Sequence, residues 1–252
     1  MTNLRGLDFS FRYRCFDSGA LVLCGQELDV ASVLHGLPVR RPPTYRGQIN
    51  YPGLFWSATT GGLLIYESLL ELERLWFADF DTGVVWIATQ PFEITGRVGG
   101  KSKRHIPDLM LQMRDGRIRV VDVKPASRVD LPDVAAVFDW TSRVCDDLDW
   151  DYEVWSGEPA TRLAHIRFLG SIRRGELADS AVVTLIMDVF RDGQSVADIL
   201  VAVSRLGPTQ SQTRTALIYL LWNQVLTYDL ARPLTDLTVL RRGKGVLDEC
   251  NS

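Results

Sequence analysis

Residues 108–124 read DLMLQMRDGRIRVVDVK, and no other stretch restricts the fold of this chain as much. "DLMLQM" and "RIRVVDVK" are apolar runs of strand length. The "RDGR" between them supplies an Asp-Gly pair, whose two residues tolerate positive φ and so favour a tight antiparallel hairpin. Side chains alternate along a strand, so Val121 and Val123 point one way while Asp122 and Lys124 point the other. The valines direct one face to an interior. The opposite face carries an acid and an ammonium, and closing the hairpin brings Asp108 to the edge that Asp122 occupies.

Helical spacing of Ile65, Leu69, Leu72 and Trp76 in "LIYESLLELERLWFAD" predicts a helix over 64–79. "GVVWIATQP" reads as a strand ended by Pro91, and a basic loop separates it from the hairpin. "LPDVAAVFDWTSRVCDDL" then opens as helices do, with Val134, Val137, Phe138, Thr141 and Val144 on one side, and "YEVWS" follows as a strand. This order of elements predicts an α/β fold, a mixed sheet flanked by helices over residues 61–174. Residues 1–60 read as a β-rich N-terminal elaboration of it, with "FSFRY" and "ALVLC" as strands. Past "RFLGSIRRGE" the composition changes, and three helical patterns followed by two short strands around a turn predict a C-terminal winged-helix domain over 175–252.

With 252 residues, 46% of them hydrophobic, the chain has the composition of a soluble globular protein. Its longest apolar run, "ALIYLLW", falls well short of the roughly 20 residues of a membrane span. The N-terminus lacks a signal-peptide core, so no membrane partner and a cytoplasmic location, nucleoid-associated when acting, are expected. Cys15, Cys24, Cys145 and Cys250 have neither zinc-ligand spacing nor the pattern of a disulfide framework. A net charge of -3 argues against a strong solitary nucleic-acid binder. Positive charge is nevertheless gathered locally, at Arg40, Arg41 and Arg46 around Tyr45, and at Lys101, Lys103 and Arg104, where phosphate contacts are expected.

Glu67 and Glu71 stand four apart on the predicted helix, where like charges repel by about 0.2–0.5 kcal/mol unless a cation intervenes. Together with Asp108 and Asp122 they make an oxygen-rich set suited to Mg²⁺, with Mn²⁺ as a substitute. Such an ion activates water and stabilises phosphodiester displacement, and Lys124 would contact the attacking water or the phosphate. Simpler readings exist: Asp122 and Lys124 as a surface pair, Glu71 beside Arg74 as a helix salt bridge, and His105 as a structural histidine. In the third C-terminal helix Gln210, Gln212, Thr213 and Arg214 occupy recognition positions, but the scarcity of basic residues there favours protein contact over DNA.

"PD" followed by "DVK", with a preceding helical glutamate, resembles the PD-(D/E)xK nuclease superfamily and its restriction-endonuclease-like fold. More narrowly, "YESLLELERLWFADFDTGVVWIATQPFEI", "RHIPDLML" and "VVDVKP" are similar to TnsA, the endonuclease subunit of heteromeric transposases, over roughly residues 56–156. The resemblance implies catalytic roles for Glu71, Asp108 and Lys124, with Glu67 the other candidate for the helical glutamate and His105 a secondary one. Asp122 stands where that family can carry an amide, and this departure favours metal binding. What the resemblance implies is a metal-dependent DNA endonuclease that cuts one strand at transposon ends, beside a DDE-type transposase subunit and under an AAA+ ATPase regulator. The alternatives are a stand-alone restriction or repair nuclease of the same superfamily and a non-catalytic DNA-binding regulator.

Overall fold

The computed structural model describes residues 9–24, 28–40, 51–98, 100–174 and 177–245. Within the first of two units, Met1–Gly157, the chain runs β1 (Phe9–Arg14), β2 (Leu21–Cys24), α1 (Val30–Leu34), β3 (Gly53–Ser57), β4 (Gly62–Tyr66) and α2 (Leu69–Phe80). It continues with β5 (Val84–Thr89), β6 (Phe92–Val98), β7 (Lys101–His105), β8 (Leu109–Met113), β9 (Ile118–Val123), α3 (Ala126–Val129), α4 (Pro132–Asp147) and β10 (Asp151–Trp155). The fold is mixed α/β, with several sheets flanked by helices.

The hairpin of β8 and β9 is the centre of a four-stranded sheet ordered β10-β9-β8-β5. β9 runs antiparallel to β8 and parallel to β10. Only Gly116 of the turn has positive φ (87°), because the loop has three residues rather than two: the Met113 amide bonds the Arg117 carbonyl, and the Gly116 amide bonds Met113. That is the three-residue hairpin geometry, in which a single left-handed glycine closes the turn.

Alternation along β8 and β9 splits the core in two. Leu109, Leu111, Val121 and Val123 face α2 and the β3–β4 hairpin, meeting Phe55, Leu75 and Ala78. Met110, Ile118 and Val120 face the other way, toward Trp140 and Val144 of α4 and toward Phe11, Phe92 and Ile94 of a second sheet, ordered β2-β1-β6-β7. Fully burying a side chain of this size contributes roughly 1.5–3 kcal/mol, so the two apolar layers hold the hairpin firmly.

Two expectations are corrected here. The helix predicted from Leu64 begins at Leu69, because Gly62–Tyr66 is a strand paired with β3 and Ser68 is the N-cap. The S-x-x-E signature of Ser68 and Glu71 marks that start, and the apolar stripe had concealed it. The basic loop is a hairpin, β6 pairing with β7 from Ile94↔His105 to Val98↔Lys101. Charge had masked a strand, as it does on sheet edges. The N-terminal residues are also woven into the unit, since β1 pairs with both β2 and β6.

The second unit, Glu158–Ser252, begins earlier than the composition change suggested, because α5 (Ala160–Leu169) packs on α8 (Gln210–Trp222) of this unit. Helices α6 (Ser180–Val189), α7 (Val196–Ser204) and α8 (Gln210–Trp222) pack on one another around Ile186, Ile199 and Leu220. Strands β11 (Leu226–Thr227) and β12 (Arg241–Arg242) pair over two residues each, shorter than the sequence suggests. No helix among the described residues is long and apolar enough to cross a membrane.

Candidate active site

Asp108 and Asp122 come together through strand register. Leu109 pairs with Val121, and the Asp108 amide donates to the Val121 carbonyl, so the next residues outward face each other. The Asp108 carboxylate accepts from the Val123 amide at 2.7 Å. Burial, and then the charges of Asp122 and Glu71, push its carboxyl well above the ordinary value, against the pull of the Val123 amide and of Lys124. Asp122 and Glu71 therefore both act on Asp108 at this corner.

Asp122 is 2% exposed. Sharing the parity of Val120, it lies beneath the second sheet, where His105 Nε2 donates to both its oxygens at 2.8 and 2.9 Å. The Tyr152 hydroxyl donates to Oδ2 at 2.6 Å from the parallel strand β10. A buried carboxylate requires such donors. Sequence reasoning missed Tyr152, since nothing local announces which strand will lie beside β9. Burial, and then Asp122, push the Tyr152 hydroxyl pKa up, so it stays a donor across the physiological range.

Glu71, 9% exposed, sits in the first turn of α2. Its Oε1 accepts from the Ser68 hydroxyl and its Oε2 from the Glu67 amide, both at 2.8 Å. Burial raises its pKa, as does Glu67, while these two hydrogen bonds and Arg40 lower it. The cation that relieves the Glu67–Glu71 repulsion is Arg40, which bonds Glu67 at 2.7 Å. Arg74 does not pair with Glu71; it makes a two-pronged bond to Glu153 on β10.

Lys124 follows β9 on the same face as Asp122 and is half-buried, its amide anchored to the Trp155 carbonyl. Among the described residues its ammonium has no ion-pair or hydrogen-bond partner. Lys101 and Lys103 share with His105 one face of β7, at an edge of the second sheet. Arg104 projects from the opposite face toward Glu93, at 3.6 Å. Arg41 and Arg46 lie outside the described residues, as does Tyr45. Arg214 is occupied by Asp236, at 2.7 Å, and Gln212 caps α8 by accepting from Thr209.

Among the described residues, no three His, Cys, Asp or Glu side chains are close enough to enclose a metal ion by themselves. The donor chemistry nonetheless fits a hydrated divalent ion. Mg²⁺ binds through one or two carboxylates and keeps several waters, and the charges of Asp122 and Glu71, which add to burial in raising the Asp108 pKa, are what such a cation would relieve.

Gln90, of the Gln-Pro pair that follows β5 and belongs to the motif order of the resemblance, adds a structural feature. It follows Thr89, the partner of Leu109, and its amide donates to the Asp108 carbonyl at 3.0 Å. Its φ is 42°, it is 1% exposed, and among the described residues neither its side-chain oxygen nor its nitrogen has a hydrogen-bond partner. A left-handed non-glycine costs on the order of 1–3 kcal/mol, and each unsatisfied buried group about 1–3 kcal/mol more.

Compared with protein-family models and with curated protein sequences, the chain matches none.

Proposed function

We propose that this protein is a Mg²⁺-dependent DNA endonuclease of the PD-(D/E)xK type, acting as the TnsA-like subunit of a heteromeric transposase and hydrolysing one strand at transposon ends. The observation that carries the reading is the convergence of Asp108, which precedes β8, with Asp122 of β9: Leu109 pairs with Val121, the charges of Asp122 and Glu71 both act on Asp108, and Lys124 lies beyond. The order of α2, antiparallel β5, β8 and β9, then α4 and parallel β10, supports a restriction-endonuclease-like core.

In this reading Asp108 is the direct metal ligand, and Glu71 and Asp122 engage through water, because their oxygens already accept from protein donors. A bound Mg²⁺ would supply an activated water and neutralise charge on the phosphate. Lys124, with no partner of its own among the described residues, would contact a non-bridging phosphate oxygen and stabilise charge as it develops. His105 and Tyr152 hold Asp122 still. Lys101 and Lys103 would receive flanking backbone phosphates.

For the second unit we propose a winged helix, supported by three mutually packed helices, the β11–β12 pair and a bridge between Ser195 and Val239. Its recognition positions are engaged internally, Gln212 with Thr209 and Arg214 with Asp236, which favours a protein partner such as the DDE-type subunit over DNA.

One observation favours a different reading, that of a non-catalytic DNA-binding regulator. The oxygens of Glu71 and Asp122 are satisfied within the chain, as structural acids would be. Nicking of a transposon-end duplex, with the partner transposase and Mg²⁺ present, separates the two. Wild type is expected to nick, and Asp108→Ala and Lys124→Ala to lose nicking by at least about a hundredfold. Undiminished cutting by both variants would sink the assignment; DNA binding without nicking by wild type would favour the regulator.

A further inference from the structure

We infer that Gln90 is a positioning residue for the divalent ion at Asp108, its side-chain amide reserved for a water of the hydrated cation. The inference deepens the metal-dependent reading of the same site and rests on it. Three independent observations converge on this residue. Its backbone is left-handed at φ 42°, immediately before Pro91, a position where conformational freedom is already restricted. Its side chain is buried, and neither end of the amide has a partner among the described residues. Its main chain is tied on both sides, donating to the Asp108 carbonyl at 3.0 Å and accepting from the Val39 amide at 2.9 Å.

Those ties place it between the strand start that carries Asp108 and the segment that leads to Arg40. A residue kept only to fill space would be apolar, because leucine or methionine covers the same volume without desolvating two polar atoms. A residue kept only for the left-handed turn would be glycine or asparagine. Glutamine at this point meets neither requirement well. It does meet a third one. Ordered water takes up buried polar groups that protein atoms leave unsatisfied, and groups hydrogen-bonded around a metal's own ligands tune its affinity. Mg²⁺ retains most of its waters, and Glu71 and Asp122 already spend their oxygens on protein donors. A side-chain amide on a residue whose main chain is bonded to that of Asp108, able to donate and to accept, suits a retained water.

The test is calorimetric titration of the full chain with Mn²⁺ alone, comparing wild type, Gln90→Met and Asp108→Ala, with thermal unfolding of each in chelator. Methionine keeps the volume and removes both polar atoms. Gln90→Met is expected to unfold in chelator no lower than wild type and to bind Mn²⁺ about 10- to 100-fold more weakly. Mn²⁺ affinity within about twofold of wild type, with Asp108→Ala not binding, would overturn the role of Gln90 and leave the metal site standing. A lower unfolding temperature for Gln90→Met in chelator would make the amide structural and overturn it too. Absence of Mn²⁺ binding by wild type would overturn the metal reading, and this inference with it.

Discussion

Tyr152 donates its hydroxyl to Asp122 across 2.6 Å, from a strand that runs parallel to the one carrying the acid. With His105 donating from the second sheet, this carboxylate joins three strands of two sheets at one point. Removing one donor leaves a buried charge short of a partner. Tyr152→Phe is therefore expected to destabilise the protein by about 1.5–3 kcal/mol, measured by urea unfolding. A change under about 0.5 kcal/mol would mean that the carboxylate is adequately solvated without it.

Asp108 gives a pH-dependent prediction. Its folded pKa is raised, so the folded state holds a proton more tightly than the unfolded chain does. The stability contributed by that neutral form is fully present below the unfolded carboxylate pKa and is lost as pH rises through the folded one. Asp108→Asn cannot ionise. In chelator at neutral pH it should unfold a few degrees above wild type, with the gap closing as the pH is lowered toward the unfolded carboxylate range, while Mg²⁺-dependent nicking disappears. Equal melting at neutral pH would show that the crowding of acids costs the fold nothing.

Lys101 and Lys103 give a salt-dependent one. If both take backbone phosphates, Lys101→Ala/Lys103→Ala should weaken duplex binding and reduce the slope of log affinity against log salt by about 1.8, near 0.9 per contact. Both residues lie on an edge strand, and lysine there also discourages strand pairing between molecules. An unchanged slope, with increased self-association, would assign them that protective role.

Arg40, proposed as a phosphate contact, also pairs with Glu67. Its ion pair with Glu67 is largely open to solvent on the arginine side, with 48% of that side chain exposed, so Arg40→Ala should cost less than about 1 kcal/mol. Glu67→Gln would free the guanidinium. It should strengthen duplex binding at low salt, while Arg40→Ala weakens it; identical affinities in the two variants would remove Arg40 from the DNA-contacting set.

Much of this molecule was already legible in the chain. Alternation in "RIRVVDVK" set the faces of β9, Gly116 of the Asp-Gly pair closed its hairpin in a three-residue rather than a two-residue loop, and the proline start and apolar side of α4 appear where expected. These are local effects, governed by side chains within a few positions of one another. The start of α2 was written locally too, in Ser68 and Glu71, although the hydrophobic stripe running through β4 obscured it.

What the sequence by itself determined is therefore the β8–β9 hairpin, the helix α4 and the convergence of Asp108 with Asp122, because an antiparallel hairpin brings its two strand ends together through short-range geometry. Only the tertiary structure decided that Asp122 is buried rather than open, that Tyr152 and His105 hold it, that Arg40 answers Glu67, and that Gln90 stands strained beside Asp108. Each of these depends on strands or segments distant in the chain, whose pairing is chosen by the packing of whole layers and leaves no periodic trace among neighbouring residues.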